Sequence, residues 1–279
     1  MTGSIKKYGG KLVSYIILGI GSLMILFPMY ITFVTAFKTQ QESSKSFFTL
    51  PESLYWGNFQ EVIENTKFFR YTFNSLINVV ICVVLILIIA PMASYGISRQ
   101  AEKKYYKFLY FYIVSGIFIP FQIIMVPMTK MLAKLDMLNL PGLMLVTVSF
   151  GLIQSVFLYV GFFKSIPLEL EQAAYVDGCS TLRCYLSVVL PLTKPMTATV
   201  TIVNALWIWN DFQLPLLVLN RDNDNWTVPL FQFNYKSQYT FDYNLAFASF
   251  VLTIIPILVL YLVMQKWIIA GLTEGALKS

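Results

Sequence analysis

Long apolar stretches without charge alternate with short charged segments along the chain. A membrane-spanning helix needs about 20 mostly apolar residues, and six stretches reach this length. The fifth stretch is interrupted by one charge, that of Asp211. The pattern therefore predicts an all-α integral membrane protein with six transmembrane helices. The predicted spans are Leu12–Phe37, Tyr71–Ser98, Phe108–Thr129, Met137–Phe163, Pro195–Asn220 and Leu245–Gln265.

The composition supports a membrane protein. The chain has 279 residues, of which 57% are hydrophobic and 12% are charged, whereas a soluble domain carries about 25% charged residues. The formal net charge of +6 would suggest a nucleic-acid partner for a soluble protein. In a membrane protein, Lys and Arg instead lie in short loops and fix the orientation. We therefore expect no nucleic-acid partner.

The distribution of Lys and Arg predicts the direction of the spans, because cytoplasmic loops carry an excess of these residues. The densest cluster, RQAEKKYYK from Arg99 to Lys107, lies between the second and third predicted spans. It is cytoplasmic if the N-terminus is cytoplasmic. We therefore predict that both termini face the cytoplasm, and that the loop 164–194 between spans four and five does so too.

The residue inventory excludes several kinds of chemistry. The chain has no histidine, which removes histidine-based zinc sites and nucleophiles activated by histidine. Cys82, Cys179 and Cys184 have no other soft ligands beside them, so we expect free thiols and no metal site. The glycines before Lys11 lack the spacing and the Ser or Thr of a nucleotide-binding loop. We therefore expect no catalytic residue in this chain.

The polar loop 164–194 contains the signals of two short helices. Ser165 can cap the first helix, and Gly178 can end it, because glycine readily adopts the left-handed conformation. Ser180 can cap the second helix, which we expect to stop near Pro191. On these signals alone, the loop is either an amphipathic segment on the lipid headgroups or a docking element for a partner.

The loop resembles the EAA loop of ABC importer permeases, which has the form E-A-A-x3-G-x9-I-x-L-P. Gln172-Ala173-Ala174 fills the triplet, Gly178 follows after three residues, and Val188 and Leu190-Pro191 end the motif. The chain departs from the pattern at Gln172, where the family has Glu. Glu171 precedes it, but neighbouring helical positions differ by about 100°, so Glu171 does not point in the same direction.

Three further segments extend the resemblance over nearly the whole chain, to the shorter membrane subunit of maltose-type carbohydrate permeases. They are NSLINVV from Asn74, WIWNDFQLPL from Trp207 and GLTEGALK from Gly271. The resemblance implies the type I ABC importer permease architecture, with one transmembrane domain over residues 1–279. It also implies that the loop 164–194 is the coupling loop, which docks a cytoplasmic ATPase. The implied coupling residues are Glu171, Gln172, Ala173, Ala174, Asp177, Gly178, Leu190 and Pro191.

The resemblance further implies a function and a set of partners. The chain would be a non-catalytic, multi-pass subunit of a sugar importer in the cell membrane of a prokaryote. Its partners would be a second permease subunit, an ATPase dimer, an extracytoplasmic sugar-binding protein and the carbohydrate, probably an oligosaccharide in size. ATP and Mg²⁺ would bind to the ATPase subunits, with no cofactor in this chain. An ion-gradient-driven secondary transporter is the alternative, but its paired broken helices or symmetric halves are not visible in the sequence.

Polar residues at membrane depth mark a candidate substrate path. Asn204, Trp207 and Asp211 fall on one face of the fifth predicted span. A charge at mid-span costs about 2.5–3.5 kcal/mol, so we expect Asp211 to face the bundle or a wet cavity. An aromatic ring beside amide and carboxylate groups suits a sugar, while pairing of Asp211 with a neighbouring helix remains the alternative. Gln122 and Gln154, in the third and fourth spans, are further candidates.

Overall fold

The structure is a computed structural model, which describes residues 2–238 and 242–276. All regular elements within these residues are helical, which agrees with the predicted all-α class. Three short turns of other helical types, Gly116–Phe118, Tyr185–Val189 and Asn223–Asn225, lie between the α-helices. The α-helices are α1 Thr2–Ala36, α2 Gln40–Lys45, α3 Gly57–Asn65, α4 Phe68–Arg99, α5 Lys104–Ser115, α6 Phe121–Lys134, α7 Leu140–Lys164, α8 Glu169–Val176, α9 Thr181–Cys184, α10 Leu190–Leu192, α11 Lys194–Asn210, α12 Gln213–Leu219, α13 Val228–Gln238 and α14 Tyr243–Ala276.

Among the described residues, three helices are long and apolar enough to cross a membrane. They are Ser14–Ala36 within α1, together with α4 and α7, and they correspond to the first, second and fourth predicted spans. The number rises to five if each of two sharply bent helix pairs counts as one span. These pairs are Lys104–Phe118 with Phe121–Lys134, and Thr181–Leu192 with Lys194–Asn210. The apolar part of α14, Tyr243–Val259, is shorter. The count of six and the direction of the chain therefore stay predictions.

The third predicted span is not one straight helix. It divides into α5 and α6, which meet at an angle of 103°. Pro120 precedes α6, and Ile119 before it has extended backbone angles, φ −87° and ψ 113°. A proline disfavours the helical conformation of the residue before it, so the chain leaves the helix here although its hydrophobicity continues.

The fifth predicted span is also interrupted, and the prediction of one continuous helical face up to Asp211 was wrong. The helix α11 ends at Asn210, and Asp211 is extended, with φ −69° and ψ 126°. Its Oδ1 accepts a hydrogen bond from the backbone N–H of Gln213 at 3.0 Å. Asp211 thereby satisfies a free N–H at the start of α12. Pro215 lies in the first turn of α12, where its missing N–H costs no helical hydrogen bond.

The chain divides into two compact units, Met1–Phe68 with Gln232–Ile255, and Phe69–Phe231 with Pro256–Ser279. In the first unit, two buried asparagine side chains fix the end of α1. Asn58 donates hydrogen bonds to the carbonyl oxygens of Ala36 and Lys38, and Asn244 donates to those of Thr35 and Lys38, all at 2.8–2.9 Å. These carbonyls lie where α1 stops, so they have no partner within the helix.

In the second unit, α4, α7 and α11 share a core of mostly aliphatic and aromatic side chains. The segment NSLINVV begins at Asn74, near the N-terminal end of α4, and has a structural role there. Asn74 donates hydrogen bonds to the carbonyl oxygens of Asp224 and Trp226, and Ser75 accepts one from the backbone N–H of Val228. The segment GLTEGALK runs past the described residues, which end at Ala276.

Candidate functional site

The coupling loop begins after α7, which ends at Lys164. Ser165 follows as the C-cap of that helix, and its hydroxyl donates to the carbonyl oxygen of Phe162 at 2.8 Å. The prediction that Ser165 caps the next helix was therefore wrong, since α8 starts only at Glu169. Glu169 and Glu171 lie in its first turn, where negative charge complements the helix dipole.

The turn after α8 agrees with the sequence. The helix ends at Val176, and Gly178 has φ +81°, in the left-handed region. Ser180 then caps α9 by accepting a hydrogen bond from the backbone N–H of Arg183. The helical path continues through a wider π-helical turn, Tyr185–Val189, and through α10 to Leu192. The predicted glycine turn and serine cap are thus confirmed.

The two faces of α8 differ in exposure. Gln172 and Ala173 are exposed, as are Asp177 and Gly178 after the helix, whereas Glu171 and Ala174 are buried. Beyond the turn, Leu190 is half-buried and Pro191 is exposed. Several large apolar side chains are also exposed in this loop. Single exposed apolar residues are common on protein surfaces, whereas a group of them is typical of a site that contacts another molecule. These side chains are Leu168, Leu170, Val176, Leu182 and Leu186.

Glu171 faces the inside of the chain. Its side chain is 5% exposed and forms an ion pair of 2.6 Å with Arg99, the last residue of α4. The other carboxylate oxygen accepts a hydrogen bond from the hydroxyl of Tyr95 at 2.7 Å. Both partners are 70 or more positions away in the chain, so local sequence patterns could not reveal them. Glu171 is therefore not presented to a partner protein.

A cavity of about 540 Å³ lies in the second unit, where the α5–α6 and α11–α12 breaks meet α7. Trp207, Asp211 and Gln154, three of the predicted path residues, line it together with Gln213. Its aromatic lining also includes Phe121, Phe150 and Phe157. Phe150, Gln154 and Phe157 are spaced by four and three residues on α7. This helical periodicity is the signal in the sequence that marks Phe150 and Phe157 as further residues of the site.

Two predicted path residues lie elsewhere. Asn204 is 2% exposed and hydrogen-bonds within the core, to Ser155 and to the carbonyl oxygen of Val200. Gln122 is exposed on α6 and is not among the residues that line the cavity. Asn204 therefore does not share the exposed face of Trp207. Within the described part of the chain, no group of three or more Cys, Asp or Glu side chains is arranged to hold a metal ion.

Comparison with known proteins decides the family. The family described as "binding-protein-dependent transport system inner membrane component" matches residues 92–274 of the chain. The chain belongs to this family. This permease is thus a membrane component of a binding-protein-dependent transport system, and the resemblance found in the sequence is confirmed.

Relatives match the permease over almost its full length. The multiple sugar-binding transport system permease protein MsmG of Streptococcus mutans is 41% identical over 266 residues, which cover 95% of this chain and 96% of that protein. The probable starch degradation products transport system permease protein AmyC of Thermoanaerobacterium thermosulfurigenes is 35% identical, with 92% and 93% covered. The melibiose/raffinose/stachyose import permease protein MelC of Bacillus subtilis is 32% identical, with 90% and 91% covered.

The fold of the permease also occurs in a solved structure. A chain of a bacterial ABC transporter involved in the import of the acidic polysaccharide alginate superposes with a TM-score of 0.76 at 22% sequence identity. The match covers 91% of this chain and 95% of that one. It supports the ABC importer permease architecture.

Proposed function

We propose that this permease forms half of the translocation path of an ATP-driven, binding-protein-dependent importer of sugars, with oligosaccharides as the expected size class. The observation that carries the proposal is the cavity at the two helix breaks. Flat aromatic rings can pack against the apolar faces of sugar rings, while carboxylate and amide groups bond to the hydroxyls. Trp207, Asp211 and Gln154 supply this combination. The sugar-permease relatives support the same substrate class.

The cavity suits a path because it opens at interruptions of membrane helices. Irregular backbone at membrane depth persists only where it is buried in protein or lines a wet cavity. Both breaks border this cavity, and the carboxylate of Asp211 lies at one of them. We infer that sugar passes along this side of the permease, between it and a second permease subunit.

The coupling loop gives the complex its means of using ATP. We infer that the exposed side of the loop, with Gln172, Ala173, Asp177 and Gly178, docks a cytoplasmic ATPase subunit. The small side chain of Ala173 allows a close approach, and the exposed leucines around it supply apolar contact area. ATP and Mg²⁺ bind to the ATPase dimer in this proposal. Both termini and the loop then face the cytoplasm, and an extracytoplasmic sugar-binding protein delivers sugar from the other side of a prokaryotic cell membrane.

An ion-gradient-driven transporter would also use broken helices at a central site, and the structure has such breaks. A single experiment separates the two mechanisms. The permease is expressed with its neighbouring transporter subunits, purified and reconstituted with its binding protein in liposomes. We expect uptake from a panel of radiolabelled sugars that requires internal ATP and persists when ionophores collapse the ion gradients. Uptake that follows an ion gradient without ATP contradicts the proposal.

A further inference from the structure

A buried polar junction connects the end of α4 to the start of α8. The guanidinium of Arg99 binds Glu171 through Nε and Nη2, both 2.6 Å from Oε1. Its Nη1 donates to the carbonyl oxygen of Phe163 at 2.8 Å. The hydroxyl of Tyr95, one turn earlier on α4, donates to Oε2 of Glu171 at 2.7 Å. Both oxygens of this carboxylate therefore have partners inside the chain.

The junction involves three segments of the coupling region. Arg99 binds Glu171 of α8 and also donates to the carbonyl oxygen of Phe163 in the last turn of α7, where free carbonyls need donors. Through the ring of Tyr95 the junction also contacts Tyr185 in the π-helical turn, with ring centroids 5.1 Å apart. Tyr95 and Arg99 lie four residues apart, so they share one face of α4.

The helix α8 is also attached through Tyr175, whose side chain interacts with Tyr95 and with the thiol of Cys184. It contains eight residues, all of them described, and Glu171 and Ala174 are the two that are buried. Ala174 contributes one methyl group, whereas Glu171 contributes an ion pair and a hydrogen bond. Charge-assisted hydrogen bonds of this kind are short, directional and about twice as strong as neutral ones. Glu171 therefore supplies a buried, charged contact that holds α8 against the end of α4.

We infer that Arg99 and Tyr95 are positioning residues, which make α8 move as one body with the ends of α4 and α7. This inference rests on the proposed function, in which α8 docks the ATPase. A push on the exposed side of α8 then reaches the membrane helices through the Arg99–Glu171 ion pair. Without the pair, α8 can tilt on its own, and ATP is hydrolysed without moving the membrane helices.

The test uses the whole reconstituted transporter and two matched substitutions. Glu171→Gln removes the buried charge, and Glu102→Gln makes the same change at an exposed position in the turn after α4, outside the proposed docking surface. We expect Glu171→Gln to lower the amount of sugar transported per ATP hydrolysed by about two- to thirtyfold, the range that substitutions in a coupling network produce. We expect Glu102→Gln to match the wild type. Equal coupling in both variants overturns the inference.

A double-mutant cycle shows whether the two side chains act as one unit. We expect Arg99→Gln/Glu171→Gln to transport no less sugar per ATP than either single variant, because one substitution already breaks the junction. Effects that multiply independently overturn the inference. If Glu171→Gln does not assemble, Tyr95→Phe removes the hydroxyl that donates to Glu171 and keeps the ring. We expect a smaller loss of coupling in that variant, and wild-type coupling there overturns the inference.

If the Arg99–Glu171 junction only stabilises the fold, the variants behave differently. In that case, thermal stability and the yield of assembled complex fall, while the assembled fraction transports as much sugar per ATP as the wild type. That outcome overturns the inference as well. Failure of the proposed function is recognised separately, because the wild-type complex then shows no ATP-dependent sugar uptake at all.

Discussion

The side-chain amide of Asn204 donates a hydrogen bond to the hydroxyl of Ser155, 3.1 Å away, and so joins α11 to α7. The hydroxyl of Ser155 in turn donates to the carbonyl oxygen of Gly151 at 2.6 Å. At Gly151, an added Cβ would lie 2.4 Å from Ile86 and 2.9 Å from the Asn204 amide oxygen. The three helices α4, α7 and α11 therefore approach closely at this point, and Asn204 is a packing residue.

We expect Asn204→Ala to lower stability without changing sugar recognition. Hydrogen bonds between membrane helices contribute about 0.6 kcal/mol on average and at most about 1.7 kcal/mol, and a small cavity adds to the loss. The matched control is Asn210→Ala, because Asn210 also donates to a carbonyl one turn earlier but is exposed. Thermal unfolding of the purified complex should shift downwards for Asn204→Ala alone. An altered sugar-concentration dependence in Asn204→Ala would contradict the packing role.

Asp211 accepts a hydrogen bond at the start of α12 and also places a carboxylate in the cavity. Two substitutions separate these roles. Asn caps a helix about as well as Asp, whereas Ala costs about 1 kcal/mol at such a position. We therefore expect Asp211→Asn to keep the stability of the complex and Asp211→Ala to lower it. If the carboxylate binds sugar hydroxyls, both variants should raise the sugar concentration for half-maximal uptake by about tenfold or more, since hydrogen bonds to charged groups contribute about 1.5–3 kcal/mol.

The sugar-binding role of the cavity has a second test in Trp207→Ala. We expect reduced uptake at low sugar concentration with near-normal basal ATP hydrolysis, because stacking area is lost but the coupling loop is untouched. Phe111→Ala is a suitable control, since Phe111 is an exposed ring on α5 that does not line the cavity. Wild-type sugar dependence in both Trp207→Ala and Asp211→Asn would leave the cavity without a role in recognition.

Gly178 is required for its backbone conformation. No atom lies within 4 Å of the Cβ that a substitution would add, but its φ of +81° is strained for any other residue, at a cost of about 1–3 kcal/mol. We expect Gly178→Val to abolish sugar-stimulated ATP hydrolysis while the protein still inserts into the membrane. Gly161→Ala is the control, because Gly161 also has open space but lies within α7, where alanine is favoured.

Gln172→Ala should be milder than Gly178→Val. Gln172 is exposed, and its removal from an interface with the ATPase deletes only a neutral hydrogen bond of about 0.5–1.5 kcal/mol. The ATP hydrolysis stimulated by sugar should therefore decrease only a few-fold. A loss as complete as that of Gly178→Val would show that the amide carries more of the docking contact than its chemistry suggests.

Thiol labelling tests the orientation and the burial of the loop together. Cys179 is partly exposed and Cys184 is fully buried, and burial raises the pKa of the Cys184 thiol. Since the thiolate is the reactive form, the raised pKa of Cys184 lowers its thiolate fraction and so slows its reaction. In single-cysteine variants, a membrane-impermeant maleimide should label Cys179 quickly and Cys184 slowly. Labelling should occur in inside-out vesicles and not in intact cells.

The sequence predicted features that depend on local backbone chemistry. Gly178 and Ser180 were identified because a left-handed turn and a helix cap need particular residues at single positions. The first, second and fourth spans followed from hydrophobic length alone. The length of the apolar stretches did not reveal the breaks at Pro120 and Asp211, because mostly apolar sequence continues on both sides of each break. Pro120 was the available signal for the first break, since a proline restricts the residue before it.

The direction of Glu171 could not be predicted from the sequence. Its partner Arg99 lies 72 positions earlier and was noted only as part of a positively charged cluster. The cluster indicated orientation, but it could not show that one of its charges turns inward. The same limit applies to Asn204, whose polarity suggested a substrate contact although its partner is a serine on a neighbouring helix.

The π-helical turn Tyr185–Val189 holds one residue more than an α-helical turn would at this place, as the hydrogen bond from the N–H of Leu190 to the carbonyl oxygen of Tyr185 shows. The wider turn absorbs this extra residue within a single turn of the helix. In an unbroken α-helix of the same residues, every residue of α10 would lie about 100° further round the axis relative to α9, and Leu190 and Pro191 would face a different direction. The direction of the Leu-Pro pair relative to the glycine turn therefore depends on the shape of the Tyr185–Val189 turn as well as on the number of residues between them.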